Sequence, residues 1–468
     1  MAAPKPHHRW RENIEALVMA IVVALLFKYF VLEISKIPSG SMQPTLMGNA
    51  ETGVFDRTVV DKLSYQYRDP ERWEIVVFKH PLERSRIMVK RLVGMPDEEL
   101  KIEHGDLWTR PTGGSDWRIL RRPPAVQREM WRSLDVRGEK RTSWSVVNKG
   151  QDWRVHGKDV AARGDGAARF QAGEGPITDE YLDGYPPSLV AGVLVRDPSW
   201  GRNPVGDVRV EGTLTSLAGT QSIGVELTEG LRVYQFRLPG PAASADEAVE
   251  VRIRDSAAST ERVEHGSTYR LPAGRALDFA VENLDDRLAL EVDGETLLAV
   301  EIEPSARQEA SLTVSVTGEG ADFAGLHVLR DLYYLTPEGR SAWSVVIPRG
   351  NYVMLGDNTQ DSADGRLWKA MTYRYRESPG SEVQEARGNH REGGENPSYG
   401  KLADGAPAIR FKDVWGENHW FARSAVVEPS TFPGNEPLVP RELVLGRALA
   451  VFWPIKPLEG LWRLAWLR

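Results

Sequence analysis

The sequence predicts a mainly β protein with an N-terminal transmembrane helix and a β-sandwich inserted into an antiparallel β core. Three observations lead to this class. An apolar stretch spans residues 16–32. Residues 33–109 are dense in short runs of β-branched residues, which favour strands. Beyond residue 200, apolar and polar residues alternate with a period of two, as in strands that bury one face.

The apolar stretch, ALVMAIVVALLFKYFVL, is just long enough to cross a bilayer, because a spanning helix needs about 17–25 apolar residues. Its one charge, Lys28, lies near its end, where the amine can reach the interface. Basic residues precede it and predict a cytoplasmic N-terminus. We expect a cytoplasmic tail at 1–11 and an uncleaved anchor at 12–32. The alternative, a cleaved signal peptide, is disfavoured by the length of the stretch.

The rest of the chain divides by composition. Between residues 208 and 316, seven or more short alternating strands are separated by turn signals such as Asp293-Gly294, which is typical of an antiparallel sandwich. Residues 124–134 favour a short helix, and residues 374–408 are rich in Gly, Glu, Arg, Asn and Pro. The predicted organisation is a first segment of the β core at 33–109, the inserted sandwich at 110–335, a second core segment at 336–372, a surface excursion at 373–419, and a third core segment with a C-terminal tail at 420–468.

Composition excludes several kinds of function. The chain of 468 residues has no cysteine, which removes disulfides, cysteine nucleophiles and cysteine-bound metal centres. Its histidines show no His-x-x-x-His pair, which argues against a zinc protease. The net charge of -7 argues against nucleic acid as the main partner.

Residues 37–46, IPSGSMQPTL, follow the apolar stretch closely. A serine between Gly40 and Met42, with Pro44 after it, indicates a tight turn that can present a hydroxyl and a backbone N–H together. The alternative is a plain linker of small residues leaving the membrane.

Residues 86–96, RIMVKRLVGMP, read as a strand that contains Lys90 and Arg91. Neighbouring residues on a strand point to opposite faces, so one of the two must share the apolar face of Met88 and Leu92. If Lys90 does so, desolvation lowers its pKa and fits it to act as a general base. The alternative is an edge-strand lysine that faces water.

Residues 356–366, GDNTQDSADGR, are dense in Asp, Asn, Gly and Ser just after a strand. By composition alone they could form a polar loop or a calcium loop. The spacing lacks the register of an EF-hand loop.

Together these three stretches resemble the boxes of type I signal peptidases, the membrane-bound serine–lysine proteases that remove signal peptides. Residues 39–46 match the Ser-Gly-Ser-Met-x-Pro-Thr-Leu box, residues 90–96 the Lys-Arg-x-x-Gly-x-Pro box, and residues 356–366 the Gly-Asp-Asn-x-x-x-Ser-x-Asp-x-Arg box. The resemblance covers roughly 33–109, 340–372 and 420–455. It implies a signal-peptidase-like antiparallel β catalytic core and a location in the bacterial cytoplasmic membrane, single-pass, with the catalytic domain on the outer side.

The resemblance also implies roles for individual residues. Ser41 would be the nucleophile and Lys90 the general base. Ser362 would hydrogen-bond the lysine amine, and Ser39 with the Ser41 N–H would form the oxyanion hole. The residues expected to support the site are Asp357, Asn358, Asp364 and Arg366. No metal or organic cofactor is expected.

The implied substrate is the signal peptide of an exported preprotein, bound as an extended strand, with small residues in an Ala-x-Ala-like pattern before the cut. The lipid bilayer is the other expected partner. The residues that would line the shallow pockets are Ile37, Pro38, Met42, Leu46 and Val89. Ordinary core packing is the alternative for them, above all for Leu46.

Three positions depart from the family pattern. Thr359 stands where the family usually has arginine, Gly365 replaces a common serine, and Asp97 follows Pro96 where glycine is usual.

Two competing interpretations remain. A self-cleaving repressor-type protease would use the same residue pair, but the chain lacks a DNA-binding segment. A membrane-tethered binding module with a relic protease core is the non-enzymatic alternative. The sandwich weakly resembles concanavalin/LamG-like domains near residues 321–328, and its ligand is not predicted.

Overall fold

The computed structural model describes residues 9–49, 54–134, 142–147, 152–172, 175–180, 201–306, 308–337, 340–378, 380–427, 431–456 and 461–467. Within these residues the protein consists mainly of antiparallel β-sheets, which confirms the predicted mainly β class. Residues 1–8 of the predicted cytoplasmic tail lie outside the described residues.

The predicted transmembrane segment is a helix, Arg9–Phe30, but the prediction that it spans a membrane is wrong. Glu12 lies in its first turn and Lys28 in its last. Between Glu15 and Lys28 the uncharged run has only 12 residues, fewer than the roughly 20 apolar residues that a bilayer-spanning helix needs. In the described stretches of the chain, no helix combines the length and the apolar character that crossing a membrane requires.

The central sheet joins the segments that carry the three boxes. Its strands, in spatial order, are Leu32–Lys36, Arg57–Asp61, Val444–Trp453, Ile75–His80, Glu83–Gly94, Asn351–Leu355 and Leu438–Pro440, and Ala465–Trp466 pairs with Val444–Trp453. Because Glu83–Gly94 pairs with Asn351–Leu355, the strand of the second box lies beside the strand that leads into the third.

A smaller four-stranded sheet continues from the central sheet. Its order is Ala342–Ile347, Glu98–Glu103, Asp106–Pro111 and Arg118–Ile119. The first two strands pair from Ala342 to Ile347, so the chain entering and the chain leaving the inserted region are hydrogen-bonded to each other.

Two further sheets form the sandwich, and each alternating run predicted between residues 208 and 316 is a strand. One sheet has the order Arg154–His156, Asp159–Arg163, Gly320–Arg330, Val208–Ser216, Ala276–Leu284, Arg287–Val292 and Glu295–Glu301, with Arg132–Ser133 paired to Gly320–Arg330. The other has the order Thr142–Val146, Gly166–Ala172, Ala310–Gly318, Thr220–Glu229, Arg232–Pro239, Ala248–Asp255 and Thr260–Thr268. The alternating apolar residues of both sheets form one buried cluster, because period-two alternation turns them all to the same side.

The segments at both ends of the predicted insert pack into another core. The helix Pro124–Met130 buries Val126 and Met130 in a cluster with Leu107, Trp343 and Val353. Leu332 and Tyr334 belong to the same cluster. The sandwich strands begin only at Arg132 and end at Arg330, where these two residues are paired. The predicted bounds of 110–335 therefore take in residues that pack with the smaller sheet.

The predicted surface excursion at 373–419 contains ordered strands. One small sheet has the order Gln384–Asn389, Lys369–Tyr375 and Thr431–Asn435, and a second has Ser398–Lys401, Pro407–Lys412 and Asn418–Ala422. Their aromatic residues form a core of their own, in which the Tyr375 and Phe421 rings stack 4.2 Å apart. The Gly- and Pro-rich composition marks the turns between these short strands.

Short elements complete the described chain. The remaining helix is Ser64–Tyr67, and the 3₁₀ turns are Gly40–Met42, Glu392–Gly394, Arg423–Ala425 and Arg441–Leu443. Two small strand pairs are Gly48–Asn49 with Val54–Phe55, and Ile455–Lys456 with Leu461–Trp462.

Replacing Asp331 by alanine should destabilise the fold by about 3–5 kcal/mol, because it leaves a buried arginine unpaired. Asp331 accepts hydrogen bonds from Arg122 Nη1 at 2.8 Å and from Gln127 Nε2 at 2.6 Å, and both charged side chains are 3% exposed. Denaturant unfolding of the purified chain measures the loss.

The matched control for this change is Asp322→Ala. Asp322 pairs with Arg163 at the surface, where an ion pair contributes at most about 1 kcal/mol. Equal losses in the two variants would contradict the importance of the buried pair.

Candidate active site

Ser41 lies in a tight turn at the edge of the central sheet. The 3₁₀ turn Gly40–Met42 closes with a 2.9 Å hydrogen bond from the Gln43 N–H to the Gly40 carbonyl. Gly48 packs beneath this turn, where a Cβ would lie 2.4 Å from the Ile37 carbonyl oxygen and 2.7 Å from that of Ser39. The turn therefore needs glycine at this position, and it holds the partly buried Ser41 beside the exposed Ser39.

Lys90 lies on the strand Glu83–Gly94 and is buried, with 1% exposure. Its side chain lies on the same face of the strand as the buried Met88 and Leu92. Of the two alternatives that the sequence left open, Lys90 rather than Arg91 shares this face. A hydrogen bond joins its Nζ to the Oγ of Ser41. Burial lowers the pKa of Lys90 from its usual 10.5 to about 8. The charge of Asp364 opposes this shift, and the charge of Arg366 adds to it.

The third box closes over this pair from the far side. Asn358 donates through its backbone N–H to the Ser41 carbonyl at 3.2 Å, and through Nδ2 to the Gly40 carbonyl at 3.2 Å. Gly356 packs against Ser362 and Ser41. A Cβ at this position would lie 2.1 Å from the Ser362 Oγ and 2.4 Å from the Ser41 carbonyl oxygen. The backbone of the box is thus fitted directly to the serine turn.

Two buried arginines hold the aspartates of the third box. Arg91 donates to Asp357 through Nε at 2.9 Å and Nη2 at 2.8 Å. Arg366 donates to Asp364 through Nε at 2.8 Å and Nη2 at 2.7 Å. Burial alone would raise the pKa of each carboxyl, but the arginines outweigh it, and both pKa values are lowered. Both aspartates therefore stay ionised next to a lysine whose own charge is disfavoured.

Ser362 is placed differently from the expectation. Its Oγ donates to Asp364 Oδ2 at 2.8 Å, and Gly356 donates its N–H to the same oxygen at 2.9 Å. Among the described residues, no hydrogen bond joins Ser362 to Lys90. The Asp364 carboxylate is ionised, and a charged acceptor forms a stronger hydrogen bond with a hydroxyl than a neutral one does.

The departures from the family pattern have local explanations. Thr359 donates through Oγ1 to the Tyr333 carbonyl at 2.7 Å, which ties the third box to the chain leaving the sandwich. A Cβ on Gly365 would lie 2.8 Å from the Pro437 carbonyl oxygen, so this packing requires glycine. Asp97 has a φ of 64°, a left-handed conformation that glycine adopts freely and aspartate tolerates.

The five predicted substrate-pocket residues divide by burial. Ile37, Met42 and Leu46 pack in one cluster with residues of the central sheet, and Leu46 is 0% exposed. Val89 is partly buried against this cluster, and Pro38 is exposed. Pro38 and Val89 are therefore the two of the five that are not fully buried.

The sequence reasoning missed Arg91, which holds Asp357, and three further supporting residues. Thr45 donates to Asp357 Oδ2 at 2.6 Å. Arg463 pairs with the buried Asp56 at 3.0 Å and also donates to the Thr45 carbonyl at 3.0 Å. Thr45 stood inside the first box and could have been found there. Arg463 lies 407 residues from Asp56 and carries no local signal.

The comparisons with known proteins match the segment that carries the first two boxes. The family model "Signal peptidase, peptidase S26" matches residues 10–112. "Probable signal peptidase I-2" of Synechocystis sp. is 34% identical over 128 residues, 26% of this chain and 55% of that protein. "Probable signal peptidase I-1" of the same organism is 38% identical over 110 residues, 22% of this chain and 53% of that protein. The chain thus spans about half the length of these relatives.

The solved structures that the chain resembles include a carbohydrate-binding module. The carbohydrate-binding module CBM66 from Bacillus subtilis covers 41% of this chain and 95% of its own, at 11% identity and a TM-score of 0.24. A TM-score at this level assigns neither a fold family nor a ligand.

The sequence matches confirm the resemblance to type I signal peptidases. The family model falls on the segment that carries the first two boxes. That segment holds both Ser41 and Lys90. Residues 10–112 of the chain therefore match the signal peptidase family, peptidase S26.

Proposed function

We propose that the protein is a serine endopeptidase that removes signal peptides from exported preproteins, with Ser41 and Lys90 as its catalytic pair. The observation that carries the proposal is the hydrogen bond between the Ser41 hydroxyl and the amine of a buried lysine whose pKa is lowered to about 8. A serine hydroxyl needs an adjacent base to become a nucleophile, and a neutral lysine is such a base.

The proposed reaction proceeds through an acyl-enzyme. As Ser41 Oγ attacks the scissile carbonyl, its proton passes to Lys90 Nζ, and the carbonyl oxygen becomes an oxyanion. The Lys90 ammonium then donates this proton to the leaving amine as the C–N bond breaks. Water, deprotonated by the neutral Lys90, attacks the ester, and collapse of the second intermediate returns the proton to Ser41 Oγ.

The oxyanion hole is proposed to consist of the Ser41 N–H and the Ser39 hydroxyl. The Oγ atoms of Ser39 and Ser41 lie 3.4 Å apart, which supports placing Ser39 at the same reacting centre. Removal of one such donor typically costs about 3–4 kcal/mol of transition-state stabilisation.

Four residues of the third box are proposed to position this pair. Asp357 and Asp364 hold Arg91 and Arg366, and Asn358 holds the Ser41 turn by two hydrogen bonds. Ser362 is proposed to act through Asp364, to which it donates. None of these residues needs to exchange protons with substrate.

The substrate is proposed to bind as an extended strand, with small side chains before the cut in an Ala-x-Ala-like pattern. The exposed Pro38 and the partly buried Val89 support shallow apolar contacts beside Ser41, and the buried Ile37, Met42 and Leu46 shape the floor beneath them. A location at the bacterial cytoplasmic membrane stays a prediction. The relic-core alternative is not favoured, since the proposed pair is intact and in contact.

Ser41→Ala and Lys90→Met should each abolish cleavage of a model preprotein, since each removes one half of a mutually dependent pair. The double variant should be about as inactive as either single one, because residues that act as a unit are not additive. Mass spectrometry of the products measures cleavage, and thermal unfolding checks the fold.

The matched control is Lys79→Ala, an exposed lysine on the neighbouring strand. It should cleave normally. Substantial turnover by a folded Lys90→Met variant would remove the lysine from the role of base.

The rate should rise with pH and level off above about 8, because only the neutral amine accepts a proton and the folded-state pKa of Lys90 is about 8. At pH 6, about two units lower, the rate should be roughly one hundredth of the plateau. Single-turnover rates between pH 5 and pH 9 measure this, with thermal unfolding over the same range as the control for loss of fold. A flat profile would contradict the proposal.

We further propose that the sandwich is a separately folded insert that cleavage does not need. Removal of residues 132–330, joined by a short Gly/Ser linker, should leave cleavage in detergent within about tenfold of the intact chain, because Arg132 and Arg330 are paired and no catalytic box lies between them. Removal of the originally predicted 110–335 should abolish it. That deletion also takes away the carbonyls of Tyr333 and Leu335, which accept from Thr359 and Arg366. Loss of cleavage in a folded 132–330 deletion would contradict the domain division.

A further inference from the structure

Three aspartates meet where the smaller sheet contacts the sandwich. Asp106 begins a strand of the smaller sheet, directly after the turn at His104 and Gly105. Asp207 precedes the sandwich strand Val208–Ser216, and Asp285 lies in the turn after Ala276–Leu284. One carboxylate oxygen from each lies within 4.8 Å of the other two. The group thus joins two regions of the molecule that the sequence separates by up to 179 residues.

A buried, unpartnered oxygen in this group points to a ligand. Asp285 is 4% exposed, and its Oδ2 has no hydrogen-bond partner among the described residues. Asp207 is also buried, and the one hydrogen bond that its carboxylate accepts within the group comes from the Asp285 N–H, at 3.2 Å. Buried carboxylate oxygens are normally paired, because an isolated one loses its hydration without compensation.

A second orphan oxygen lies next to this group. The amide of Asn283 donates through Nδ2 to the Gly206 carbonyl at 3.2 Å, which places it beside Asp207 in the chain. Its Oδ1 is buried and has no partner within the described residues. Asp331, by contrast, is fully engaged by Arg122 and Gln127, so it is not available to a ligand.

The charges of the group are compensated only incompletely. Burial, and then the neighbouring acids, raise the pKa of Asp106 and of Asp207 well above the usual range. Burial raises the pKa of Asp285 to about 7, although Arg121 and Arg122 oppose the shift.

We infer that Asp106, Asp207 and Asp285 bind a divalent cation of the oxygen-preferring class, and that Ca²⁺ fits the site best. The available ligands are carboxylate oxygens, which suit Ca²⁺ and Mg²⁺ rather than softer metals. Ca²⁺ binds oxygens at about 2.3–2.6 Å, so two ligands on opposite sides of the ion lie up to about 5 Å apart. Mg²⁺ binds oxygens at about 2.0–2.1 Å in near-ideal octahedral geometry and usually keeps several waters, so it suits a site made of protein carboxylates less well.

The proposed ion would connect the smaller sheet to the sandwich. Asp106 comes from the hairpin whose Gly105 carbonyl accepts from the Tyr334 N–H at 2.9 Å, and the other two ligands come from the sandwich. Bound cation would therefore stabilise the joint between these two regions, independently of whether the protein cleaves signal peptides.

Calorimetric titration of the EDTA-treated full chain with Ca²⁺ alone tests the inference, together with thermal unfolding with and without Ca²⁺. We expect saturable binding of one ion and an increase of several degrees in Tm, with weaker binding of Mg²⁺. Asp207→Asn and Asp285→Asn should each weaken Ca²⁺ binding by at least about tenfold, because each removes a charged ligand. Asp106→Asn tests the same site from the smaller sheet.

The matched control is Asp322→Asn, which removes the same charge from a surface aspartate of the sandwich that pairs with Arg163. Its Ca²⁺ affinity should stay within about threefold of the unmodified chain. The inference is overturned if the unmodified chain shows neither binding nor a Tm increase, or if the ligand variants retain both. It is also overturned if Asp285→Asn stabilises the chain at neutral pH while Ca²⁺ changes nothing, since the group would then hold only protons.

Discussion

Lys90 is buried beneath Ser41, and the two fully buried carboxylates whose charges favour its protonated form, Asp364 and Asp357, are both held by arginines. Among the described residues, no carboxylate lies within ion-pair distance of the Lys90 amine. Had Asp364 or Asp357 paired with it directly, the ammonium form would be stabilised and the amine would not accept a proton near neutral pH. Arg366 and Arg91 prevent this, because each engages one aspartate through two hydrogen bonds.

The sheet geometry makes this arrangement possible. Lys90 and Arg91 are neighbours on one strand, so they project to opposite faces, and both are buried. The paired strand Asn351–Leu355 then delivers the third box to the end of the sheet, where Asp357 meets Arg91 and Asn358 meets the Ser41 turn. Removing one partner from such a buried pair leaves an uncompensated charge, which is why the two arginines matter to the fold as well as to the site.

The chain on either side of the sandwich also serves the site. The carbonyl oxygen of Tyr333 accepts a hydrogen bond from Thr359, and that of Leu335 accepts one from Arg366. The sandwich itself has a hydrophobic core distinct from that of the central sheet. A domain can therefore be inserted here while the few residues at its ends remain within the host core, since compact domains with paired termini disturb their host little.

The sequence by itself determined the features that depend on local pattern. Period-two alternation identified the sandwich strands, and the three boxes identified Ser41, Lys90 and the loop that meets them, because strand formation and tight turns depend on nearby residues. The sequence also predicted the N-terminal helix. The predicted apolar stretch was too long, because it was counted through the charged Lys28.

Tertiary structure alone decided which distant groups meet. Arg91 and Asp357 are 266 residues apart, and Arg463 and Asp56 are 407 apart, so no window of sequence contains either pair. The same holds for the choice of Asp364 over Lys90 as the partner of Ser362, and for the packing of the helix Pro124–Met130 with the smaller sheet. Such choices follow from competition among all the partners that folding brings within hydrogen-bond or packing distance, and that competition exists only in the folded chain.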